Sequence, residues 1–317
     1  VTITGTYFNT TATNNIVFFG ATKATVTGGT TTSLTVTVPM GASYAPISVL
    51  NGANYLSAYS PVNFTPTFSP IQTSLSAADY EPRIDYLAGS SRRVPFGVTI
   101  GDLDGDGKPD VAVANYYNVS SGIILYRNTS TSGAITFADE VEIPERGIGP
   151  YRVLFADIDG DGKLDMIATE GYTQERTISV YRNTSSIGNI SFDKKAKFVV
   201  GCCNPQGIDV GDFDGDGKLD IAVALQNNDE ISILRNISTI GFINFNYHFT
   251  IAAGDQPTGL DIQDINGDNK PDIAVTNGID NTVSVFINTT SATETIAFAT
   301  RANFSTGPNS RPTSVSI

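Results

Sequence analysis

The chain is poor in the residues from which most active sites and covalent staples are built. A single histidine, His248, stands among 317 residues, so no Ser–His–Asp or Cys–His arrangement can be assembled convincingly. NYHFT sets that histidine on a strand, where packing or surface is its ordinary use. Two cysteines, adjacent at Cys202 and Cys203, are too few for a disulfide framework. A vicinal disulfide and two reduced thiols in the loop GCCNPQG both stay open, with loop stiffening as the default role. Apolar runs fall short of the 18 or more residues of a membrane helix, and no N-terminal stretch resembles a signal peptide. The chain begins on the strand-like VTITGT, so any export signal is expected upstream or already removed. Positive charge is scarce as well: 19 Lys and Arg face 32 Asp and Glu, a formal charge of −13. That balance argues against nucleic acid or an anionic membrane as the main partner.

What is present is β-like. Charged residues make up only 16% and hydrophobic residues 40%, with abundant Thr, Ser, Asn and Gly. This mix suits a turn-rich β protein. At this length roughly two domains are expected. Residues 1–66 show short alternating runs, TVTGGTTTSLTVTVP and APISVL, between Gly, Asn and Pro turns, the pattern of a small β-sandwich. FTPTFSP opens a linker over residues 67–78.

From about residue 79 the chain repeats itself. GDLDGDGKPD (101–110), ADIDGDGKLD (156–165), GDFDGDGKLD (211–220) and QDINGDNKPD (263–272) recur at intervals of 55, 55 and 52 residues. Each is preceded by FGVTIGD, YRVLFAD, QGIDVGD or TGLDIQD. Each is followed by DVAVAN, DMIATE, DIAVAL or DIAVTN, then by IILYRN, ISVYRN, ISILRN or VSVFIN, and then by a fourth run such as NISFDKKAKFVV. Four short strands and no helical stretch fill each unit. Such a sheet cannot cover its own apolar faces, so the units must stack. A β-propeller blade fits that size, and a linear β-solenoid, with shorter coils, is the weaker alternative. The fold class expected is all-β: a small Ig-like sandwich followed by an incomplete propeller of four full blades. YEPRIDYLAG (80–89) matches a last strand and RPTSVSI (311–317) a first strand. The expectation is therefore an open arc and a piece of a longer protein.

The four loops hold 15 of the 32 acidic residues. In DLDGDGKPD the side-chain oxygens fall at positions 1, 3, 5 and 9, namely Asp102, Asp104, Asp106 and Asp110. A hard cation such as calcium takes six to eight oxygens, and the position-7 carbonyl of Lys108 can add one. Position 6 must turn sharply, which suits Gly107, Gly162 and Gly217. Asn269 stands there in the fourth loop. An EF-hand would need a bidentate Glu at position 12 and flanking helices. Position 12 is instead Val113, Ala168, Val223 or Val275, and both flanks are strand-like. One divalent ion in each loop, about four calcium ions in all, would lower the formal charge from −13 to −5.

The unit FGVTIGDLDGDGKPDVAVAN resembles the FG-GAP/VCBS repeats of integrin α-subunit propellers and of many bacterial surface proteins, over about residues 79–317. The resemblance implies calcium between the first two strands of each blade. It carries the ligand roles to Asp157, Asp159, Asp161 and Asp165; to Asp212, Asp214, Asp216 and Asp220; and to Asp264, Asn266, Asp268 and Asp272. Lys163, Lys218 and Lys270 would act through their carbonyls. The fourth loop departs at Asn266 and Asn269 and should bind most weakly. Residues 1–66 resemble an IPT/TIG domain, an immunoglobulin-like fold, without its usual opening strand.

Near-identical loops in every blade look like scaffold rather than catalytic carboxylates. Modest affinity, roughly 10⁻⁴–10⁻³ M in extracellular modules, favours a secreted or cell-surface location. The expected function is a non-enzymatic, calcium-stabilised surface module for adhesion or ligand presentation, its partner an extracellular protein or glycan. The alternatives are a subunit of a fibre built from copies of itself and a carbohydrate-binding propeller of a larger secreted enzyme. Direct membrane insertion is not expected. Asn128, Asn183, Asn236 and Asn288 share one place in N-x-S/T triplets. Glycosylation is one reading, and a simple turn preference after the third strand is the other. Tyr126, Tyr181, Leu234 and Phe286 read as packing between blades. Tyr116, Tyr117, Tyr172, Gln226 and Asn227, after the second strand, sit where a ligand face would be.

Overall fold

The computed structural model describes residues 1–39, 42, 45–53, 56–65, 83–86, 94–116, 122–144, 149–170, 176–201, 204–291 and 295–317. It divides into two compact units, Val1–Ser91 and Arg92–Ile317. The linker at 67–78, the Cys202–Cys203 pair, Tyr117 and Tyr172 lie outside the described residues.

In the first unit, alternation between apolar and polar residues produces strands with one buried side. These are β1 (Thr2–Thr4), β2 (Asn15–Phe19), β3 (Thr22–Gly29), β4 (Ser33–Thr37), β5 (Ala45–Asn51) and β6 (Leu56–Phe64). They form one six-stranded sheet in the order β1-β4-β3-β2-β5-β6. Instead of two separate layers, this curled sheet closes on its own concave side. Val17, Phe19, Leu34 and Val36 fill that side, and Phe64 meets Phe19 edge-on at 4.7 Å.

The second unit consists of four antiparallel meanders, each built from consecutive strands. Blade I is β7 (Pro95–Gly101), β8 (Asp110–Asn115), β9 (Gly122–Tyr126) and β10 (Val141–Pro144). Blade II is β11 (Pro150–Ala156), β12 (Asp165–Glu170), β13 (Thr177–Tyr181) and β14 (Ala196–Val199). Blade III is β15 (Pro205–Gly211), β16 (Asp220–Leu225), β17 (Glu230–Asn236) and β18 (Phe245–Ala252). Blade IV is β19 (Pro257–Gln263), β20 (Asp272–Asn277), β21 (Thr282–Phe286) and β22 (Ala302–Ser305). His248 lies on β18. The chain is all-β, as its repeats predict: among the described residues the only helix is one 3₁₀ turn at Ala12–Asn14. No helix among them is long and apolar enough to cross a membrane.

Second and third strands such as DIAVAL and ISIL are apolar on both sides because each sheet is covered on both sides. Ala112, Ala114 and Leu125 of blade I pack on Val153, Met166 and Tyr181 of blade II. Ile167, Ile178 and Val180 of blade II meet Ile208, Val223 and Leu234 of blade III. Ala222, Ile231 and Ile233 of blade III meet Ile273, Val275 and Phe286 of blade IV. Tyr126, Tyr181, Leu234 and Phe286 are all buried, and the last three sit in these seams as expected. Burial of each such side chain contributes on the order of 1.5–3 kcal/mol.

The innermost strands approach closely where glycine allows it. A Cβ on Gly97 would lie 2.7 Å from the Tyr151 carbonyl oxygen, and one on Gly207 would lie 2.5 Å from that of Thr258. A Cβ on Gly259 would meet Ser314 Cα at 2.6 Å. Ile262 N–H donates to Asp209 Oδ2 at 2.9 Å, and Ile317 N–H donates to Asp261 Oδ2 at 2.6 Å in the same relation. Residues 311–317 thus lie against β19 as β19 lies against β15, in the place of a first strand. The matching expectation for 80–89 finds no strand at the described residues 83–86.

Candidate metal centres

Each acidic loop joins the first and second strands of its blade, and its carboxylates wind the backbone around themselves. The position-1 aspartate takes three N–H donors. Asp102 Oδ1 accepts from Gly105 (2.9 Å) and Asp106 (3.1 Å), and Oδ2 accepts from Gly107 (2.9 Å). Asp157 and Asp212 repeat this pattern. So does Asp264, with Gly267, Asp268 and Asn269 as donors. The turn demands positive φ at position 6, where Gly107 has 87° and Asn269 has 65°. Asparagine tolerates that region better than most side chains, which explains the substitution.

Position 9 begins the second strand and is fully buried in all four loops. One oxygen of Asp110 accepts the Leu103 N–H at 2.9 Å, and the other accepts the Asn128 N–H at 2.8 Å. The same pairs recur at Asp165, Asp220 and Asp272. Position 9 therefore ties the loop to the end of the third strand.

Three carboxylates converge in each of the first three loops. Asp102, Asp104 and Asp110 each offer an oxygen within 4.8 Å of the others, as do Asp157, Asp159 and Asp165, and Asp212, Asp214 and Asp220. These are positions 1, 3 and 9. Position 5 stands outside each group. Asp106, Asp161 and Asp216 accept the position-7 N–H of Lys108, Lys163 and Lys218. In the fourth loop, position 3 is Asn266, whose amide donates to Asp268 Oδ2 at 3.2 Å, while Lys270 N–H donates to Asp268 Oδ1. Only Asp264 and Asp272 carry carboxylates at its converging positions, and Asp264 through Asn269 are exposed.

Burial pushes Asp110, Asp165 and Asp220 up to about 7 and Asp157 to about 6, and repulsion from the neighbouring aspartates adds to it. Asp102 and Asp212 move the same way for the same reasons. Packing like charges in a partly dry pocket disfavours ionisation, and an all-oxygen, anionic donor set is what a hard divalent cation takes. The residues present fit such an ion.

Sequence reasoning missed two contributors. The first is the arginine that precedes the triplet asparagine. Arg182 spans positions 3 and 5 of its loop, with Nε 2.6 Å from Asp159 Oδ2 and Nη2 2.7 Å from Asp161 Oδ2. Arg235 repeats the fork on Asp214 (2.5 Å) and Asp216 (2.8 Å). Arg127 stands 3.9 Å from Asp104, and the fourth repeat has Ile287 at this place. The recurrent RN in IILYRN, ISVYRN and ISILRN was the available signal.

The second contributor is the asparagine itself. Asn183 and Asn236 are fully buried, Asn288 is 1% exposed and Asn128 is 9% exposed. Their Oδ1 atoms accept the N–H two residues on, from Ser130, Ser185, Ser238 and Thr290, at 2.7–2.9 Å. That serine or threonine then accepts an N–H from the returning strand, as Ser185 Oγ does from Ser191. The N-x-S/T pattern is thus a turn built from two side chains. At Asn183, Asn236 and Asn288 the amide nitrogen is itself buried and donates to a carbonyl of the preceding blade, which leaves no space for a glycan there.

At the blade end away from the acidic loops, Tyr116 stacks on Tyr151 at 4.4 Å, and Phe96 meets Tyr151 edge-on at 5.2 Å. Gln226 Oε1 accepts from Asn204 and Gln206, holding two strands together, and Asn227 is exposed.

Comparison with known proteins agrees with this layout. Residues 94–168 and 212–275 match the family described as FG-GAP-like repeat, and residues 1–66 match the IPT/TIG domain. No curated protein matches the chain. Among solved structures it is similar to a protein from Lactobacillus plantarum, at 13% identity and a TM-score of 0.45, covering 94% of this chain and 68% of that one. It is similar to a Bacillus licheniformis rhamnogalacturonan lyase at 12% identity and a TM-score of 0.40, covering 90% and 62%. It is also similar to an auxiliary nutrient binding protein from Bacteroides thetaiotaomicron, at 11% identity and a TM-score of 0.33, covering 99% and 87%. The chain therefore carries an IPT/TIG domain followed by FG-GAP-like repeats.

Proposed function

We propose that the protein is a non-enzymatic extracellular module whose blades are braced by calcium, and that it serves surface adhesion or ligand presentation. One observation carries this reading: three carboxylates, at least two of them buried, converge at the same three positions in each of three successive loops. Asp102, Asp104 and Asp110, with their counterparts, would hold the ion, and the ion would supply charge neutralisation rather than chemistry. Their remaining oxygens already hold backbone N–H groups, which supports a scaffold role over acid–base work. Asp264, Asn266 and Asp272 form a poorer set, so the fourth loop should fill last.

Extracellular millimolar calcium would populate sites of roughly 10⁻⁴–10⁻³ M affinity, and cytosolic calcium would not. At 10 mM calcium each such site adds about 1.4–2.7 kcal/mol. Three sites should therefore raise the melting temperature by roughly 10 °C or more. Thermal melts with calcium and with excess EGTA, alongside calorimetric titration, test this. Three to four bound ions and a reversible rise are expected, and an unchanged melt with no binding heat would end the proposal.

A glycan is the favoured class of ligand, because Phe96 is half exposed beside the Tyr116–Tyr151 stack. A glycan array tests it, with loss of signal expected in Phe96→Ala.

A further inference from the structure

The triplet asparagines reach beyond their own blades. Asn183 Nδ2 donates to Leu164 O of its own acidic loop at 2.8 Å and to Leu103 O of the preceding blade's loop at 2.9 Å. Asn236 does the same with Leu219 O (2.9 Å) and Ile158 O (2.9 Å). Asn288 reaches back to Phe213 O at 3.0 Å. The three carbonyls reached in the preceding blade all belong to position 2, between two converging aspartates. The backbone N–H of each asparagine meanwhile fixes the position-9 carboxylate of its own loop, at 2.8 Å. A second tie runs beside the first: Asp104 Oδ2 accepts the Gly188 N–H of blade II, and Asp159 Oδ2 accepts the Gly241 N–H of blade III.

We propose that Asn183, Asn236 and Asn288 are positioning residues that couple the cation sites of consecutive blades, so that binding along the repeat is positively cooperative. This rests on the calcium reading above. An amide has two hydrogens, and at Asn183 and Asn236 each is committed to a different loop inside a buried seam, while Asn288 keeps the bond to the preceding loop. An ion that fixes positions 1 and 3 of one loop fixes the position-2 carbonyl between them. That holds the next asparagine, and the asparagine presents the next position-9 carboxylate ready for its own ion. Part of the ordering needed at the second site is thus completed at the first, and linkage makes the effect mutual. The route consists of named hydrogen bonds, so removing one amide must cut the coupling at one seam.

The test follows the amide resonances of Gly107, Gly162 and Gly217, one per loop, while calcium is added to the full chain. In the native protein the three should shift together, with a Hill coefficient above one. Asn183→Ala should detach Gly107 from the other two and raise its midpoint about tenfold, leaving Gly162 and Gly217 moving together. Asn236→Ala should move the break to the next seam, so the idea survives if one variant fails to fold. A merely structural role would weaken the sites without shifting the break. Independent titrations in the native chain, or joint titration in both variants, would overturn the proposal. Hydrogen exchange in EGTA gives a cation-free check: Asn183→Ala should speed exchange at Gly105 and Gly107, across the seam, at least severalfold. Acceleration confined to blade II would also overturn it. Glycine resonances indifferent to calcium would instead remove the calcium reading, leaving the exchange result to judge the mechanical link.

Discussion

Replacing Arg235 by methionine would show whether the guanidinium on the third loop assists the ion or competes with it. Arg235 is 18% exposed and bridges the fully buried Asp214 carboxylate and Asp216. Charge-assisted hydrogen bonds contribute about 1.5–3 kcal/mol each. Ordering a long side chain and partial solvent access reduce the pair to roughly 2–3 kcal/mol in total. Without cation, Arg235→Met should therefore lower stability by about that amount, a drop of roughly 4–12 °C in melting temperature. The sign reverses at the binding step. A divalent ion held by Asp214 would share that carboxylate with the guanidinium, and two such cations repel by several kcal/mol even at an effective dielectric constant near 20, so the arginine opposes the ion it partly replaces. Loop-3 affinity should rise tenfold or more in Arg235→Met, read from the Gly217 amide during a calcium titration. Arg235→Lys keeps the charge but not the fork and should fall between. A folded Arg235→Met protein that binds calcium more weakly than the native one would refute the reasoning, since the guanidinium would then be part of the binding geometry.

Other consequences can be checked on the same material. Asp209 on β15 and Asp261 on β19 share a hydrogen bond, and burial followed by repulsion from Asp261 holds Asp209 well above the usual carboxylate range. The folded state therefore keeps a proton that the unfolded chain releases near pH 4. The associated stability is full below that pH and is lost as pH rises through the raised value, at up to about 1.4 kcal/mol per pH unit. With calcium saturating, native stability should fall between about pH 4 and 7, and Asp209→Asn should flatten that slope in denaturant titrations. Gly207→Ala should cost about 2–3 kcal/mol by forcing the seam apart, whereas Gly28→Ala, with no atom within 4 Å of the added Cβ, should cost under about 1 kcal/mol. Passed through a glycosylating secretory pathway, the soluble folded protein should carry no glycan at Asn183, Asn236 or Asn288, as intact mass will report.

Local signals made much of this molecule legible beforehand. The alternation in residues 1–66 and the carboxylates at odd positions act within ten residues of one another, and the 55-residue period copies the same local pattern four times, so the strands and loops they predict are in place. The converging groups are narrower than composition suggested. Asp161 and Asp216, to which the family resemblance carries a ligand role, are held by Arg182 and Arg235 from the far end of the third strand. The triplet asparagines showed their turn in the sequence but not their reach across the seam. Their partners lie one blade away, and an N-x-S/T triplet reads the same whether its amide faces water or a neighbouring carbonyl. The Asp209–Asp261 pairing was equally hidden, because register between blades is decided by glycine contacts that no single repeat contains.

The direction of the asparagine ties bears on how the chain assembles. Asn183 reaches back 80 residues, Asn236 reaches back 78 and Asn288 reaches back 75. Strands within a meander pair with sequence neighbours and form quickly. During synthesis from the N-terminus, each new sheet emerges to find its acceptor carbonyl already made. Growth can thus proceed as a zipper, every tooth closing on the one before it.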